Sequence, residues 1–120
     1  MEFQYRIYEE VYNDIISGKK TIEFRLLNEK SYNIQIGNKI KFSVINNENK
    51  YLIVEVIDKL IYNNIDELWN SKDVLNNTFD YSKGELVKAF SKIFGKQNLK
   101  NSKIVGFKIK VLKKSADLNF

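Results

Sequence analysis

The segment from Gly18 to Arg25 constrains the fold of this chain more than any other stretch. Its glycine can adopt the left-handed conformation that ends a helix, and polar and apolar residues alternate from Thr21 onward. Alternate side chains of an extended strand point to opposite faces, so Ile22 and Phe24 can enter a core. The segment therefore predicts a helix end, a basic turn and a strand, in that order.

The opposite face of this strand carries a row of polar side chains. A lysine lies at the strand entrance, and a hydroxyl, a carboxylate and a guanidinium follow it on this face. Neighbouring side chains on one face of a strand are about 7 Å apart. Guanidinium and ammonium groups can bind a phosphate or the edge of a base, and a carboxylate can accept a hydrogen bond from an exocyclic amine. The predicted ligand-binding residues are Lys20, Thr21, Glu23 and Arg25. The alternative is a purely structural role, in which Glu23 pairs with Arg25 and Lys20.

The composition excludes several kinds of site. The 120 residues include no Cys and no His, which removes disulfides, thiolate metal sites, and the commonest general base and metal ligand. No aspartate-rich calcium loop is present, and we expect neither a metal nor a cofactor. Hydrophobic residues make up 43% of the chain, enough for a core. We expect a single folded domain over residues 1–120.

The charge balance is basic, with 20 Lys and Arg against 15 Asp and Glu and a net charge of +5. A positive charge favours polyanions such as RNA or DNA. Much of this positive charge comes from Lys, which is accompanied by abundant Asn and Ile, as an AT-rich genome produces. The charge alone therefore does not distinguish between possible functions. The sequence contains neither a signal-peptide pattern nor an apolar stretch of roughly 20 residues. We expect a cytoplasmic protein without a membrane partner, and the sequence predicts no particular oligomeric state.

Hydrophobic periodicity predicts the remaining elements. Helices are expected over residues 7–16, 65–69 and 83–94, and strands over residues 21–25, 39–45, 51–59 and 103–113. A hairpin turn is expected at residues 46–49, and residues 26–33 are expected to have no regular secondary structure. The strand 51–59 has apolar residues on both faces, which favours burial in a closed sheet. We expect the connection 70–82 to be polar and the tail 114–120 to be loose.

Two further groups of side chains extend the predicted ligand surface. Lysines near the closing strand form a basic edge that can track a nucleic-acid backbone, or can instead block edge-to-edge aggregation. They are Lys103, Lys108, Lys110, Lys113 and Lys114. Exposed tyrosines can stack on an unpaired base, although aromatic residues more often pack in a core. The candidates are Tyr5, Tyr8, Tyr32 and Tyr62.

The order of these landmarks resembles that of the ASCH family, a group of PUA-like domains. The residues Gly18-x-Lys20-x-x-Glu23-x-Arg25 are similar to the family signature Gly-x-Lys-x-x-Glu-x-Arg. A turn at residues 37–40, a short helix at 65–68 and the closing Ile-Val-Gly-Phe at 104–107 also match the family in order. The resemblance extends along essentially the whole chain.

The resemblance implies an α+β fold, namely a PUA-like mixed β-barrel of about five or six strands with two to three short helices. It also implies a cleft beside the signature strand, lined by Lys20, Glu23 and Arg25. Members of the family are proposed to bind RNA or to act on substrates that contain a nucleobase. The predicted partner is therefore RNA, a nucleotide or a modified nucleoside.

Two alternatives follow from the same resemblance. Some small bacterial members hydrolyse N4-acylated cytosine nucleosides with a Thr nucleophile where this chain has Glu23, and with a lysine that matches Lys20. If the chain is such an amidohydrolase, Lys20 and Glu23 are catalytic, and the partnering acid is Glu67 or Glu85. Thr21 lies on the same strand face but about 7 Å from the expected position. The second alternative is a ribonuclease or an adaptor that contacts nucleic acid without a discrete pocket.

Overall fold

The computed structural model describes residues 2–71 and 82–115. The expectations for the connection 70–82 and the tail 114–120 concern mainly residues outside these ranges. The strands are β1 (Glu2–Ile7), β2 (Ile22–Leu26), β3 (Lys39–Val44), β4 (Asn47–Tyr62) and β5 (Ile104–Lys114). The helices are α1 (Glu9–Ile16), α2 (Glu29–Asn33), α3 (Ile65–Trp69), α4 (Lys83–Phe94) and α5 (Lys96–Asn101). No helix in the described part of the chain has the length and hydrophobicity needed to cross a bilayer.

The strands form one mixed sheet with the order β1-β3-β4-β5-β2. β1 runs parallel to β3, and every other neighbouring pair is antiparallel. The sheet curls into a half-barrel, which confirms the predicted α+β, PUA-like fold. β1 and β2 are the two ends of the strand order, and the signature strand is therefore an edge of the sheet.

β4 contributes side chains to two hydrophobic cores, because its pairing with β5 shifts register. Leu52, Val54 and Val56 are buried in the first core, as the sequence predicts for one face of this strand. Beyond the shift between Val56 and Asp58, Tyr62 is buried in the second core. An extra residue in a strand changes which face each later side chain occupies. The predicted burial of the opposite face is wrong at Ile57, which is half exposed.

β5 is an interior strand, and its first half is covered on both faces. Val105 and Phe107 belong to the first core, whereas Ile104 belongs to the second. Since β5 pairs with β4 on one side and with β2 on the other, the predicted basic edge is wrong over Ile104–Lys108. Both faces of β5 are apolar at its start, since Ile104 is fully buried in the second core.

The helices around the sheet agree with the sequence where local signals are strong. Asn64, directly before the helix predicted over residues 65–69, caps α3 by accepting from the backbone N–H of Glu67. Helix α4 has the predicted bounds, with Leu86 and Phe90 buried and Gly95 at its C-terminus. Gly95 has φ +89°, a conformation that favours glycine, and α5 follows it without a loop. The sequence did not predict α5.

Three local predictions need correction. The expected helix over residues 7–16 begins at Glu9, because Ile7 ends the unpredicted strand β1. The stretch 26–33 contains α2, which begins with a capping box between Asn28 and Ser31. The hairpin turn lies earlier than expected, since β4 already begins at Asn47 and the left-handed residue is Asn46, with φ +66°.

A glycine in β5 makes the close approach of the signature strand possible. A Cβ atom at Gly106 would lie 3.0 Å from Phe24 Cε1 and 3.2 Å from Ile22 Cγ2. We predict that Gly106→Ala lowers the free energy of unfolding by about 1–3 kcal/mol, the usual cost of overpacking a core. The measurement is denaturant unfolding, with Gly84→Ala in α4 as the control. That control has room for a Cβ and should change stability by less than about 1 kcal/mol. Equal effects of both substitutions would contradict the packing argument.

Candidate functional site

Glu23 is the centre of the candidate site. It lies on β2 with its carboxylate on the face opposite Ile22 and Phe24, which are buried in the second core. The residue is only 5% exposed, and each carboxylate oxygen has a cation beside it. Oε1 lies 3.4 Å from Lys20 Nζ, and Oε2 lies 3.0 Å from Arg25 Nη2. The strand alternation expected from the sequence thus produces a compact charge cluster.

The environment keeps Glu23 ionised. Burial by itself would raise the pKa of the carboxyl group, because it removes water from the charged form. The charges of Lys20 and Arg25, together with their hydrogen bonds, outweigh burial and hold the pKa below its ordinary value of 4.5. At neutral pH the group is therefore a carboxylate that can only accept hydrogen bonds.

Arg25 also connects the two edges of the curled sheet. Its Nη2 atom donates to the backbone carbonyl of Arg6 on β1 over 3.2 Å. The guanidinium carbon lies 4.2 Å from the centroid of the Tyr5 ring, which suits a cation–π contact. Lys30 of α2 makes an equivalent pair of contacts, with the carbonyl of Gln4 and the same ring. Side chains from β2 and α2 therefore occupy the interval between the two edge strands.

Two buried polar atoms at this junction have no hydrogen-bond partner among the described residues. They are Arg25 Nε and the Tyr5 hydroxyl. Burial raises the pKa of the Tyr5 hydroxyl, although the nearby charge of Arg25 acts in the opposite direction.

A cavity of about 200 Å³ adjoins the charge cluster. Its polar wall consists of Arg6, Lys20, Glu23 and Arg25, and the rest of its surface is mainly apolar. The apolar walls come from the end of β1, from α1 and from the aromatic end of α4. Tyr8 also lines the cavity and is 54% exposed, so its ring is accessible to a ligand.

The structure brings three of the four predicted ligand-binding residues together at this cavity. Lys20, Glu23 and Arg25 line it, whereas Thr21 is exposed and lies outside the lining. The backbone carbonyl of Thr21 accepts from the N–H of Ile109, an interaction within the sheet. Ligand binding by these residues stays a prediction. Sequence reasoning missed Arg6, although the alternation of apolar and polar residues in β1 was a signal for the strand that carries it.

The other candidate residues occupy varied positions. Among the tyrosines, Tyr62 is buried in the second core, so the prediction that it can stack on a base is wrong. Tyr32 is well exposed and has Lys59 above its ring, away from the cavity lining. Neither candidate acid, Glu67 or Glu85, lines the cavity. Glu67 instead accepts a hydrogen bond from the Asn63 side-chain amide, and Glu85 belongs to the capping box of α4. Within the described residues, no group of three or more acidic side chains is positioned to hold a metal ion.

Comparison with solved structures defines the class of fold. Protein PF0455 from Pyrococcus furiosus is 28% identical with a TM-score of 0.72, and the match covers 94% of this chain and 99% of that one. The hypothetical protein PH0355 is 27% identical with a TM-score of 0.79, covering 93% and 100%. The ASCH protein of Zymomonas mobilis is 15% identical with a TM-score of 0.64, covering 97% and 73%. No family model matches the sequence, and no curated protein matches it. The chain has the ASCH fold, as the resemblance of its signature residues predicts.

The charge cluster predicts a pH dependence of stability. Since the folded pKa of Glu23 lies below its ordinary value, the ionised group contributes stability above about pH 4.5, and that contribution is lost as the pH falls through the folded pKa. We predict that Glu23→Gln costs about 2 kcal/mol at pH 7, below the 3–5 kcal/mol typical of a fully buried pair because both cations are partly exposed.

Urea unfolding of wild type and Glu23→Gln at pH 7 and at progressively lower pH measures this effect. The difference between the two proteins should shrink below about pH 4.5. Glu10→Gln, at an exposed position in the first turn of α1, is the control and should change stability by less than about 0.5 kcal/mol. A difference that stays constant down to strongly acidic pH would contradict the role of the carboxylate charge.

Proposed function

We propose that this chain binds RNA, a nucleotide or a modified nucleoside, with one nucleobase in the cavity beside Lys20, Glu23 and Arg25. The observation that carries the proposal is the presence of a buried, ionised carboxylate in the polar wall of a cavity whose remaining surface is mainly apolar. A nucleobase combines apolar faces with hydrogen-bond donors at its edge, which is the chemistry complementary to such a site. The ASCH fold is compatible with this class of ligand.

The size of the cavity supports a single base as the occupant. Its volume of about 200 Å³ is below the range of roughly 300–1,000 Å³ typical of sites that enclose a whole small molecule. One flat ring is therefore a better fit than a complete nucleotide. Tyr8 offers an accessible ring at the cavity, and stacking on an aromatic side chain contributes about 1–3 kcal/mol per base.

Glu23 provides a reason for selectivity among the bases. Lys20 and Arg25 each approach a different oxygen of the carboxylate, and each oxygen has a second lone pair that can accept a hydrogen bond. Cytosine and adenine carry an exocyclic amine that donates to such a carboxylate, whereas uracil offers no amine. The site should consequently prefer amino bases.

The amidohydrolase alternative has weaker support. A general base works best when its pKa is close to the working pH, and the pKa of Glu23 is instead lowered. Thr21, the nearest hydroxyl on the signature strand, lies outside the cavity lining, as do the candidate acids Glu67 and Glu85. Binding without hydrolysis is therefore the simpler role for this cluster.

The preference for amino bases is testable by calorimetric titration with cytidine and uridine. We predict that wild type binds cytidine about 5- to 150-fold more tightly than uridine, which corresponds to the 1–3 kcal/mol expected of a specific base contact. In Glu23→Gln the amide can donate as well as accept, so the ratio should fall close to one. Glu10→Gln is the control and should keep the wild-type ratio. Equal affinities of wild type for both nucleosides would contradict the assignment of Glu23 to base recognition.

A second measurement separates binding from catalysis. Incubation with N4-acetylcytidine, followed by chromatography, should show no release of cytidine above the uncatalysed rate, because Glu23 is a weak base in this environment. Lys20→Ala should weaken binding of the same compound without abolishing the fold, which circular dichroism checks. Turnover by wild type that is lost in Lys20→Ala would instead establish the hydrolase.

A further inference from the structure

A second depression meets the cavity at Arg6 and Arg25, which line both. This groove has a volume of about 680 Å³ and is bordered by β1, β3, the start of β4 and α2. Four cationic side chains contribute to its lining, against the single carboxylate of Glu48. The cations are Arg6, Arg25, Lys30 and Lys41. The groove is thus strongly basic, in contrast to the mainly apolar cavity beside it.

Three of these four cations retain their charge for a ligand. Arg25 is paired with Glu23, but no ion pair involves Arg6, Lys30 or Lys41 within residues 2–71 and 82–115. Lys30 donates to a backbone carbonyl and lies over the Tyr5 ring, while Lys41 lies 4.6 Å from the centroid of the Tyr51 ring. Neither a carbonyl nor an aromatic ring neutralises an ammonium group, so both can still attract an anion.

The cavity and the groove differ in size, so each suits a different part of one ligand. The cavity has room for a base but for little more, so the sugar and phosphates of a bound nucleotide have to lie outside it. The adjoining groove is larger, polar and open, and its neutral side chains, including Gln4 and Ser43, can donate hydrogen bonds to phosphate oxygens. A base can enter a cavity only when it is unpaired, and a single strand presents unpaired bases without the cost of opening a duplex.

On the basis of the function proposed above, we infer that the groove lined by Arg6, Lys30 and Lys41 binds the sugar–phosphate backbone of a single-stranded RNA whose base occupies the cavity. The ligand is accordingly a strand rather than a free nucleoside. Arg25 lies at the junction, where its ion pair with Glu23 fixes it next to the base and its side chain lines both depressions.

Salt dependence distinguishes a phosphate contact from a base contact. Binding of a short oligocytidine RNA should be at least tenfold tighter than binding of cytidine at low salt. Its logarithmic affinity should fall with logarithmic salt concentration at a slope of about −2, since three phosphate contacts contribute about −0.7 each for a single strand. Cytidine carries no phosphate and should show almost no salt dependence.

Substitutions in the groove test the same inference residue by residue. Lys41→Gln should reduce the salt slope for the oligomer by about 0.7, whereas removal of the opposing charge in Glu48→Gln should strengthen oligomer binding. Lys39→Gln is the matched control, because it lies two residues away on the same strand face but outside the groove lining. Thermal melting verifies that each variant is folded.

The outcomes separate the inference from the proposed function. A reduced slope in Lys41→Gln, with the wild-type slope kept in Lys39→Gln, would support backbone binding in the groove. Equal reductions in both variants would show attraction to the overall positive charge and would overturn the inference. An oligomer that binds no more tightly than cytidine would overturn it too, while leaving base binding intact. Failure of both ligands to bind would overturn the proposed function itself.

Discussion

The burial of Glu23 is the constraint on which both the candidate site and the side-chain contact between the two edge strands depend. A carboxylate that is 5% exposed is costly unless cations compensate it, and Lys20 and Arg25 do so from the same short segment. Arg25 then extends to the carbonyl of Arg6, so that the compensating charge also connects the two edge strands. The structural and the ligand-binding interpretations of the signature residues are therefore compatible, because one cluster can serve both.

Features that depend on local sequence were predictable. Alternation fixed the two faces of β2, since adjacent side chains of a strand have to point in opposite directions. The caps of α3 and α4 were likewise readable from Asn64 and Gly95, because capping involves residues within one turn of each other. The charge cluster belongs to this class, as all three of its members lie within six residues of one another.

Features that depend on pairing between distant segments were not predictable in the same way. Arg6 reaches the cavity only because β1 pairs in parallel with β3. In this pairing Glu2 lies beside Lys39, which is 37 residues later in the chain. The interior position of β5 depends on pairing with both β2 and β4, which hydrophobic alternation does not reveal. Tyr62 enters the second core because of a register shift in β4, and periodicity counted from Leu52 does not indicate that shift.

The location of the positive charge carries more information than its total. The net charge of +5 is compatible with many functions, and the lysines predicted to form a basic edge on β5 do not line the cavity or the groove beside it. The cations that line the groove come from β1, β2, β3 and α2, and curling of the sheet brings them together around Arg25, which lines the cavity as well. A sheet of this order that lay flat would keep β1 and β2 on opposite sides and would separate Arg6 from Glu23. The curvature of the sheet thus brings basic residues from separate parts of the chain onto one surface.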